Sequence, residues 1–504
     1  MTFIEMLRNR WQKANSMGCV GLDSDKTQVP EVAGGIGPFN KSIISMTRDF
    51  VCAYKPNIAF YEDQWVEGLR VLKETFAFSR EVAPDIPIIL DAKRTDIGNT
   101  NKGYVRMAFD ELKADAITVN PYFGGEALQP FFGQKDKGII VMCRTSNPGA
   151  KEFQDLKTPV VELPEKARKF FMDLYGETGP EVSSRILIPM YEYVAWRAAY
   201  EWNANGNVLL VVGATYPEEL AKVRKIVGDM PILVPGIGAQ AGDLEGTVKA
   251  GLDSTGFGMI INSARGIIFA SKAGDFAEVA GREAEKLRDQ INEVKVGIKV
   301  EKIFAQTKAI IKNSHVVYTS GKHGSEYVNK DAVYRDTEAT DEVCREIAEH
   351  FKSSNVEVVV APVEGGINLS QGVARHLTKL TGRKVISIFA DKEGEGLTLK
   401  RGYDKDVPDK KVLVVDDVFT TGGSVKKLIE LVRTLNGEVV AVGGLCNRGG
   451  VKVTDLGEGI SELFTLTSVQ MAAYDEAECP LCKGGVPIST EVGKGKEYLA
   501  KKAK

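Results

Sequence analysis

A chain of 504 residues is too long for one ordinary hydrophobic core, so two or three domains are expected. With 43% hydrophobic and 26% charged residues it has a globular composition, and a formal net charge of −3 excludes the basic bias of a nucleic-acid or acidic-membrane binder while leaving room for local anion pockets. Seven scattered cysteines fit a reducing compartment better than a disulfide framework, and no apolar run approaches a membrane span, so a cytoplasmic location is expected.

Thr2 and Glu5 stand at capping-box spacing before Phe3, Met6, Leu7 and Trp11, which predicts an opening helix rather than a signal peptide. From there to about residue 265, short apolar runs recur, each followed by a polar turn and a helix-like stretch. The runs are Cys19–Asp23, Val51–Lys55, Ile86–Lys93, Ala116–Asn120, Gly138–Arg144, Val208–Gly213, Ile232–Gly236 and Thr255–Ile261. Short all-apolar strands alternating with helices predict a parallel sheet covered on both faces. Eight such units in roughly 270 residues match a (β/α)8 TIM barrel, whose site collects at the C-terminal strand ends. Asp23, Lys55, Lys93, Asn120, Thr145-Ser146, Gln240 and Arg265 fall at or just beyond those ends, a placement that stability alone does not explain.

The third run is the most charged, reading Ile88-Ile89-Leu90-Asp91-Ala92-Lys93-Arg94-Thr95-Asp96-Ile97 and continuing to Thr100. Alternation along a strand puts Asp91 and Lys93 on one face, with Asp96 in the following loop. A cation between acids is costly to bury. For Asp-x-Lys alone a satisfied ion pair is the simpler reading, and position at a barrel mouth turns it toward chemistry. A long insertion, 147–206, is helical in part, with Tyr191, Tyr193, Val194, Trp196 and Trp202 reading as helix-face core. Phe276, Ala280, Ala284, Leu287 and Ile291 mark the last barrel helix, and charged Asn292–Gly297 is the expected junction, giving domains 1–292 and 298–504.

Beyond it, a hairpin over Val316–Asn329 precedes strands at Val358–Ala361, Val385–Ala390, Lys411–Asp417 and Val439–Leu445, the rhythm of a doubly wound α/β domain. The sharpest signal is Val414-Val415-Asp416-Asp417-Val418-Phe419-Thr420-Thr421-Gly422-Gly423-Ser424, a buried strand, an acid pair and a small-residue loop opening a helix. Such a loop lets backbone N–H groups converge on a phosphate, and the acids can accept from ribose hydroxyls or help place Mg²⁺.

That stretch resembles the phosphoribosyl-pyrophosphate (PRPP) motif of type I phosphoribosyltransferases. Thr319–Ser325 with Lys322, Pro362–Gly366, Asp391–Tyr403 and Arg448 narrow the resemblance to orotate phosphoribosyltransferases. It implies PRPP at Asp416, Asp417, Thr420, Thr421, Gly422, Gly423 and Ser424, orotate at Arg448 and Lys322, and Mg²⁺ held mainly through PRPP. Thr319 stands where the family commonly has Lys, and the Asp391–Tyr403 loop lacks the family's histidine, so Lys392 is the candidate for stabilising transition-state charge.

The barrel half resembles orotidine 5′-monophosphate (OMP) decarboxylases through Asp91-x-Lys93-x-x-Asp96-Ile97-x-x-Thr100, Lys55, Asp23, Thr145–Pro148, Pro235–Gln240 and Arg265. The resemblance implies Lys93 as proton donor to C6, Asp91 beside the departing carboxylate, and Lys55 and Asp96 completing a charge network, with Asp96 reaching in from a second subunit. It further implies Gln240 and Arg265 at the phosphate, Asp23 and Thr100 at the ribose, Ser146 at the pyrimidine, Pro235 among the binding residues, and no cofactor. Together the two halves imply the bifunctional UMP synthase family, taking orotate and PRPP to OMP and then to UMP, with a homodimer expected and neither nucleic acid nor membrane as partner. Two alternatives remain. One is a sugar-phosphate decarboxylase barrel that holds Mg²⁺ and wants an acid in place of Lys55, fused to a purine-type transferase. The other is a C-terminal domain that only senses PRPP.

Cys479 and Cys482 form a C-x-x-C without a second pair, a weak zinc signal, so no metal ligands are assigned. His315, His323, His350 and His376 show no metal spacing and read as surface or packing residues, with His323 singled out by its place in the substrate loop. Cys19, Cys52 and Cys143 read as packing residues, and the Lys-rich stretch 492–504 as a solvated tail.

Overall fold

The computed structural model describes the chain except residues 177–185, 238–242, 319, 364, 395, 470–471 and 503–504. It divides into two units, Met1–Lys295 and Val296–Lys504.

In the first unit the opening helix Phe3–Ala14 carries the full capping box, Glu5 N donating to Thr2 Oγ1 and Thr2 N to Glu5 Oε2. The apolar runs become strands β1 (Gly18–Gly21), β2 (Ala53–Lys55), β3 (Ile89–Arg94), β4 (Ala116–Val119), β5 (Gly138–Arg144), β6 (Val208–Val212), β7 (Ile232–Pro235) and β8 (Met259–Ser263). They form an eight-stranded parallel sheet in the order β2-β1-β8-β7-β6-β5-β4-β3. Parallel bridges Tyr54–Ile88 and Asn57–Asp91 join β2 to β3 and close the ring. The strand interiors are almost wholly buried, which is why they read as continuous apolar runs.

β8 begins later than the run Thr255–Ile261 suggests. Asp253 Oδ1 accepts from Thr255 N, Thr255 Oγ1 and Phe257 N, and Gly258 sits at φ +92°, so the first residues of that run are a turn. The insertion contains an antiparallel pair, Lys157–Pro159 with Leu187–Pro189, and helices Glu165–Tyr175 and Met190–Arg197. Tyr191, Trp196 and Trp202 are buried in it, as helix-face core should be. Cys19, Cys52 and Cys143 are buried too.

The second unit holds a six-stranded sheet of β9 (Val358–Pro362), β10 (Ile386–Glu393), β11 (Gly396–Thr398), β12 (Lys411–Phe419), β13 (Glu438–Asn447) and β14 (Leu463–Ser468), in the order β11-β10-β9-β12-β13-β14. All neighbours are parallel except β10 and β11. Alternate residues feed two apolar layers. Val359, Ala361, Leu413 and Val415 pack with Ile347, Phe351 and Leu369, while Val358, Val360, Val412 and Val414 pack with Val425, Leu428 and Ile429.

The charged stretch 292–297 lies inside one uninterrupted helix, Phe276–Thr307, whose apolar spacing continues through the buried residues Val300, Ile303 and Phe304, and the boundary between the two units falls within it. Two expectations need correction. Asp391–Tyr403 is not an open loop: β10 runs on to Glu393 and turns into β11, with Lys392 opposite Leu397. The chain end is no free tail, since Gly495–Lys502 is helical and Lys494 N donates to Val317 O at 2.7 Å. No helix among the described residues is long and apolar enough to cross a membrane.

Candidate active sites

The barrel mouth concentrates charge where β1, β2 and β3 end. Lys55, the last residue of β2, is buried and donates to Asp91 Oδ2 at 2.8 Å, with Asp23 Oδ1 3.8 Å from its Nζ. Lys93 Nζ donates to Asp91 Oδ1 at 2.7 Å, so one buried carboxylate lies between two ammonium groups. Burial by itself would discharge Lys55, but Asp91 and Asp23 outweigh it and raise its pKa. Burial likewise opposes charge on Asp91, and Lys55 and Lys93 overcome it, holding the carboxyl well below the usual carboxylate range. Asp23 moves the other way: burial pushes it up, more strongly than Lys55 pulls it down.

The Asp91–Lys93 contact does not come from simple alternation. Lys93 lies at φ +47°, and the β3–β4 register jumps, Leu90 pairing with Ile117 but Arg94 with Val119. In this bulge Ala92 N and Lys93 N both donate to Thr118 Oγ1 at 2.9 Å, and that hydroxyl donates to Asp91 Oδ1 at 2.9 Å. Thr118 is a site residue the sequence reading missed; its only signal was a hydroxyl inside an otherwise apolar strand.

Asp96 follows in a half-buried loop and accepts from Ile97 N at 2.6 Å, making no ion pair among the described residues. Thr100 is exposed on the next helix, Gly98–Val105. Thr95 ties this loop to Asn120, after which Tyr122 and Phe123 stand exposed, as Ile97 does. Ser146, half-buried, packs against Gly213 after β6, where a Cβ would overlap the Ser146 backbone. Pro235 ends β7, and Arg265 is exposed just after β8. Gln240 lies outside the described residues. A second residue that went unnoticed is Arg144, wholly buried at the end of β5. It donates to Thr145 O at 2.8 Å, pairs with Asp155 at 2.9 Å and stacks 4.2 Å from the Tyr216 ring centroid, bracing the loop that carries Ser146.

In the second unit β12 carries Asp416 and Asp417 just before its end at Phe419. Asp417 is ion-paired to Lys330, and burial together with the Asp417 charge pushes Asp416 up. Gly365 lies against this pair, where a Cβ would displace the Asp417 carboxylate and the Lys330 ammonium. Thr420, Thr421, Gly423 and Ser424 are exposed around the start of the helix Gly423–Thr434, and Gly422 at φ +72° turns the chain into it. Arg448 donates to Thr420 Oγ1 at 2.9 Å, and its guanidinium lies 4.8 Å from the ring centroid of Tyr318. Lys322 is 3.7 Å from Asp475, and Lys392 is exposed near the β10–β11 turn. Lys330 and Tyr318 are further residues that the sequence reading did not single out. Thr319 and Glu364 of the expected substrate loops lie outside the described residues.

His376 meets Asp341 at 3.0 Å and His350 stacks on Phe464, both in keeping with packing roles. His315 and His323, far from any cysteine along the chain, are instead brought beside Cys479 and Cys482.

Comparison with known proteins finds relatives for both units. The profile of the orotidine 5′-phosphate decarboxylase / HUMPS family matches residues 17–280, and that of the phosphoribosyl transferase domain matches 330–463. An orotidine 5′-phosphate decarboxylase of Ralstonia pickettii is 45% identical over 297 residues, covering 58% of this chain and 99% of the relative. One from Cellvibrio japonicus is 43% identical over 298 residues, covering 58% of this chain and 98% of the relative. The solved UMP synthase of Leishmania donovani is 29% identical, covering 93% of this chain and 94% of its own, at a TM-score of 0.49. The chain belongs to the orotidine 5′-phosphate decarboxylase / HUMPS family and carries a phosphoribosyl transferase domain after its barrel.

Proposed function

We propose that the chain is bifunctional in de novo pyrimidine biosynthesis. The transferase, residues 298–504, moves ribose 5-phosphate from PRPP to N1 of orotate, and the barrel, residues 1–292, decarboxylates the resulting OMP to UMP. The observation that carries this reading is the pairing of Lys55 with Asp91 at 2.8 Å beside Lys93. A sugar-phosphate decarboxylase of this fold would want an acid at the end of β2 to hold Mg²⁺, and the ammonium of Lys55 repels one.

Decarboxylation at C6 leaves a carbanion with no adjacent carbonyl to delocalise it, so electrostatics and a ready proton must serve. Lys93, half exposed and held by Asp91, is the proton donor; Asp91 sits near the departing carboxylate and fixes Lys93; Lys55 keeps Asp91 ionised. Asp96 completes the network from a second subunit. The exposed apolar side chains Ile97, Tyr122 and Phe123 around its loop support a homodimer that covers them. Asp23 Oδ1, buried with no hydrogen-bond partner among the described residues, is an acceptor suited to a ribose hydroxyl, joined by Thr100. Ser146 meets the pyrimidine, Pro235 lines the pocket, and Arg265 with Gln240 takes the phosphate, a remote contact whose energy favours the closed enzyme. No cofactor is assigned to this half.

In the transferase, the loop Thr420–Ser424 cradles the 5′-phosphate, and Asp416 and Asp417 accept from the ribose hydroxyls. Their hard carboxylate oxygens fit Mg²⁺ bound mainly through PRPP, which would neutralise the departing pyrophosphate. Arg448 and Lys322 hold orotate, and Lys392 adds positive charge in the transition state. The seven free cysteines suit a reducing, cytoplasmic setting. Purified protein given orotate, PRPP and Mg²⁺ should form OMP and then UMP with release of CO₂. UMP from supplied OMP but no OMP from orotate would reduce the second unit to a PRPP sensor. No product from either substrate would sink the whole reading.

A further inference from the structure

The second unit gathers four side chains that the proposed reactions do not use: His315, His323, Cys479 and Cys482. One histidine lies just before, and the other opens the second strand of, the hairpin in which Val316–Val317 pairs with His323–Gly324, and the cysteines bracket Pro480 and Leu481 near the chain end. One ligand atom from each lies within 4.8 Å of all the others. His315 Nε2 is 2.9 Å from His323 Nδ1, Cys482 Sγ is 3.5 and 3.3 Å from those nitrogens, and Cys479 Sγ is 3.8 Å from His315 Nε2. A tetrahedron built on zinc–nitrogen bonds of about 2.05 Å and zinc–sulfur bonds of about 2.3 Å has edges of roughly 3.3 to 3.8 Å, close to this set. Both cysteines are free thiols, and all the ligands except Cys482 are buried.

Orientation argues for a metal as well as spacing. His315 Nδ1 is 2.6 Å from the Val486 carbonyl, so it carries the ring proton and leaves Nε2 as a lone pair aimed at the cluster. His323 Nδ1 and Cys482 Sγ face the same point, 2.9 and 3.5 Å from that nitrogen. A cation at the centre takes the lone pair of each imidazole and the charge of each thiolate.

We infer that His315, His323, Cys479 and Cys482 form a closed, four-ligand zinc site. With two nitrogens and two sulfurs, and no position left for substrate, it is structural and separate from the Mg²⁺ chemistry of PRPP. It clamps the chain end to the hairpin. His323 and Tyr474 exchange two backbone hydrogen bonds of 2.8 Å, Ser489 N donates to His315 O at 2.7 Å, and Lys494 N donates to Val317 O at 2.7 Å. The same hairpin presents Tyr318 to Arg448 and carries Lys322, so the metal fixes one wall of the proposed orotate pocket.

The test uses the full chain, expressed with added zinc and purified without chelator. Mass spectrometry of metals should find stoichiometric zinc, reduced to background in Cys479→Ser/Cys482→Ser. Wild-type protein stripped and refilled with Co²⁺ should show thiolate-to-cobalt charge-transfer absorption and the intense visible bands of a tetrahedral ion. The double variant should also lose OMP formation several-fold while decarboxylating supplied OMP at the wild-type rate. Zinc content equal in wild type and variant, a refilled wild type lacking the cobalt spectrum, or a Cys479–Cys482 disulfide in protein purified without reductant would overturn the site. Metal content and spectrum are read without turnover, so they stand or fall independently of the proposed reactions.

Discussion

Lys55, at the end of β2, and Asp91, within neighbouring β3, share a 2.8 Å hydrogen bond almost wholly out of solvent. Asp91 is depressed, so its contribution to stability is present above the unfolded carboxylate value near about 4 and is lost as pH falls through the folded value. Lys55 is raised, so its contribution is present below about 10.4 and is lost as pH rises through the folded value. The pair therefore contributes no pH slope between roughly pH 5 and 9. Asp91→Asn should remove the acid-side slope and cost about 3–5 kcal/mol by leaving a buried ammonium uncompensated. Trp11, Trp65, Trp196 and Trp202 all lie in the first unit, so urea unfolding followed by tryptophan fluorescence reads the barrel alone. An unchanged midpoint would count against the pairing.

Removing the proton donor should separate the two reactions. Lys93→Ala is expected to lower decarboxylation by about 10²–10⁴-fold, the usual contribution of a positioned acid, while OMP accumulates from orotate and PRPP. Intact UMP production would assign the proton to another group.

Asp96 carries the dimer claim. Asp96→Ala and Lys93→Ala should each be nearly inactive as decarboxylases, and mixing them under subunit exchange should restore activity, because a hybrid dimer holds one site with both residues. Rates that merely add would place Asp96 in the site of its own chain.

In the transferase, Lys392→Ala should slow OMP formation by about 10²-fold, the order lost with one transition-state charge partner, and leave decarboxylation of supplied OMP unchanged. Measuring the two half-reactions separately checks it; equal loss in both would point to misfolding instead.

Thr118→Val keeps shape and removes the hydroxyl. Two backbone N–H groups and one Asp91 oxygen then lose a partner, at about 1–3 kcal/mol. The OMP decarboxylation rate should fall with it and return in Thr118→Ser. Failure of serine to rescue would show that the methyl, not the hydroxyl, matters.

The barrel was legible because each strand is a short apolar run followed by a polar turn, a pattern set by burial on both faces of a parallel sheet. β8 was misjudged at its start because Asp253 draws Thr255 and Phe257 into a turn, a competition between side-chain and ladder hydrogen bonds that periodicity does not register. Lys55, Asp91 and Lys93 were legible as a set, but Thr118 was not, since a threonine in a strand is ordinary. The cluster of His315, His323, Cys479 and Cys482 was out of reach for another reason. Its members are distant along the chain and only tertiary structure unites them. The seating of the last helix is hidden likewise, being carried by backbone groups such as Val317 O that no sequence pattern advertises.

The bulge in β3 also bears on whether this chemistry can be transplanted. In a regular strand, Asp-x-Lys would stand its side chains in parallel, each free to find other partners. Here Lys93 leaves the ladder at φ +47°, and a hydroxyl from β4 catches the two N–H groups released. A design that copied the motif Asp91–Asp96 into another barrel would inherit the residues without the conformation. It would also need a threonine or serine on the adjoining strand and a register jump to receive it.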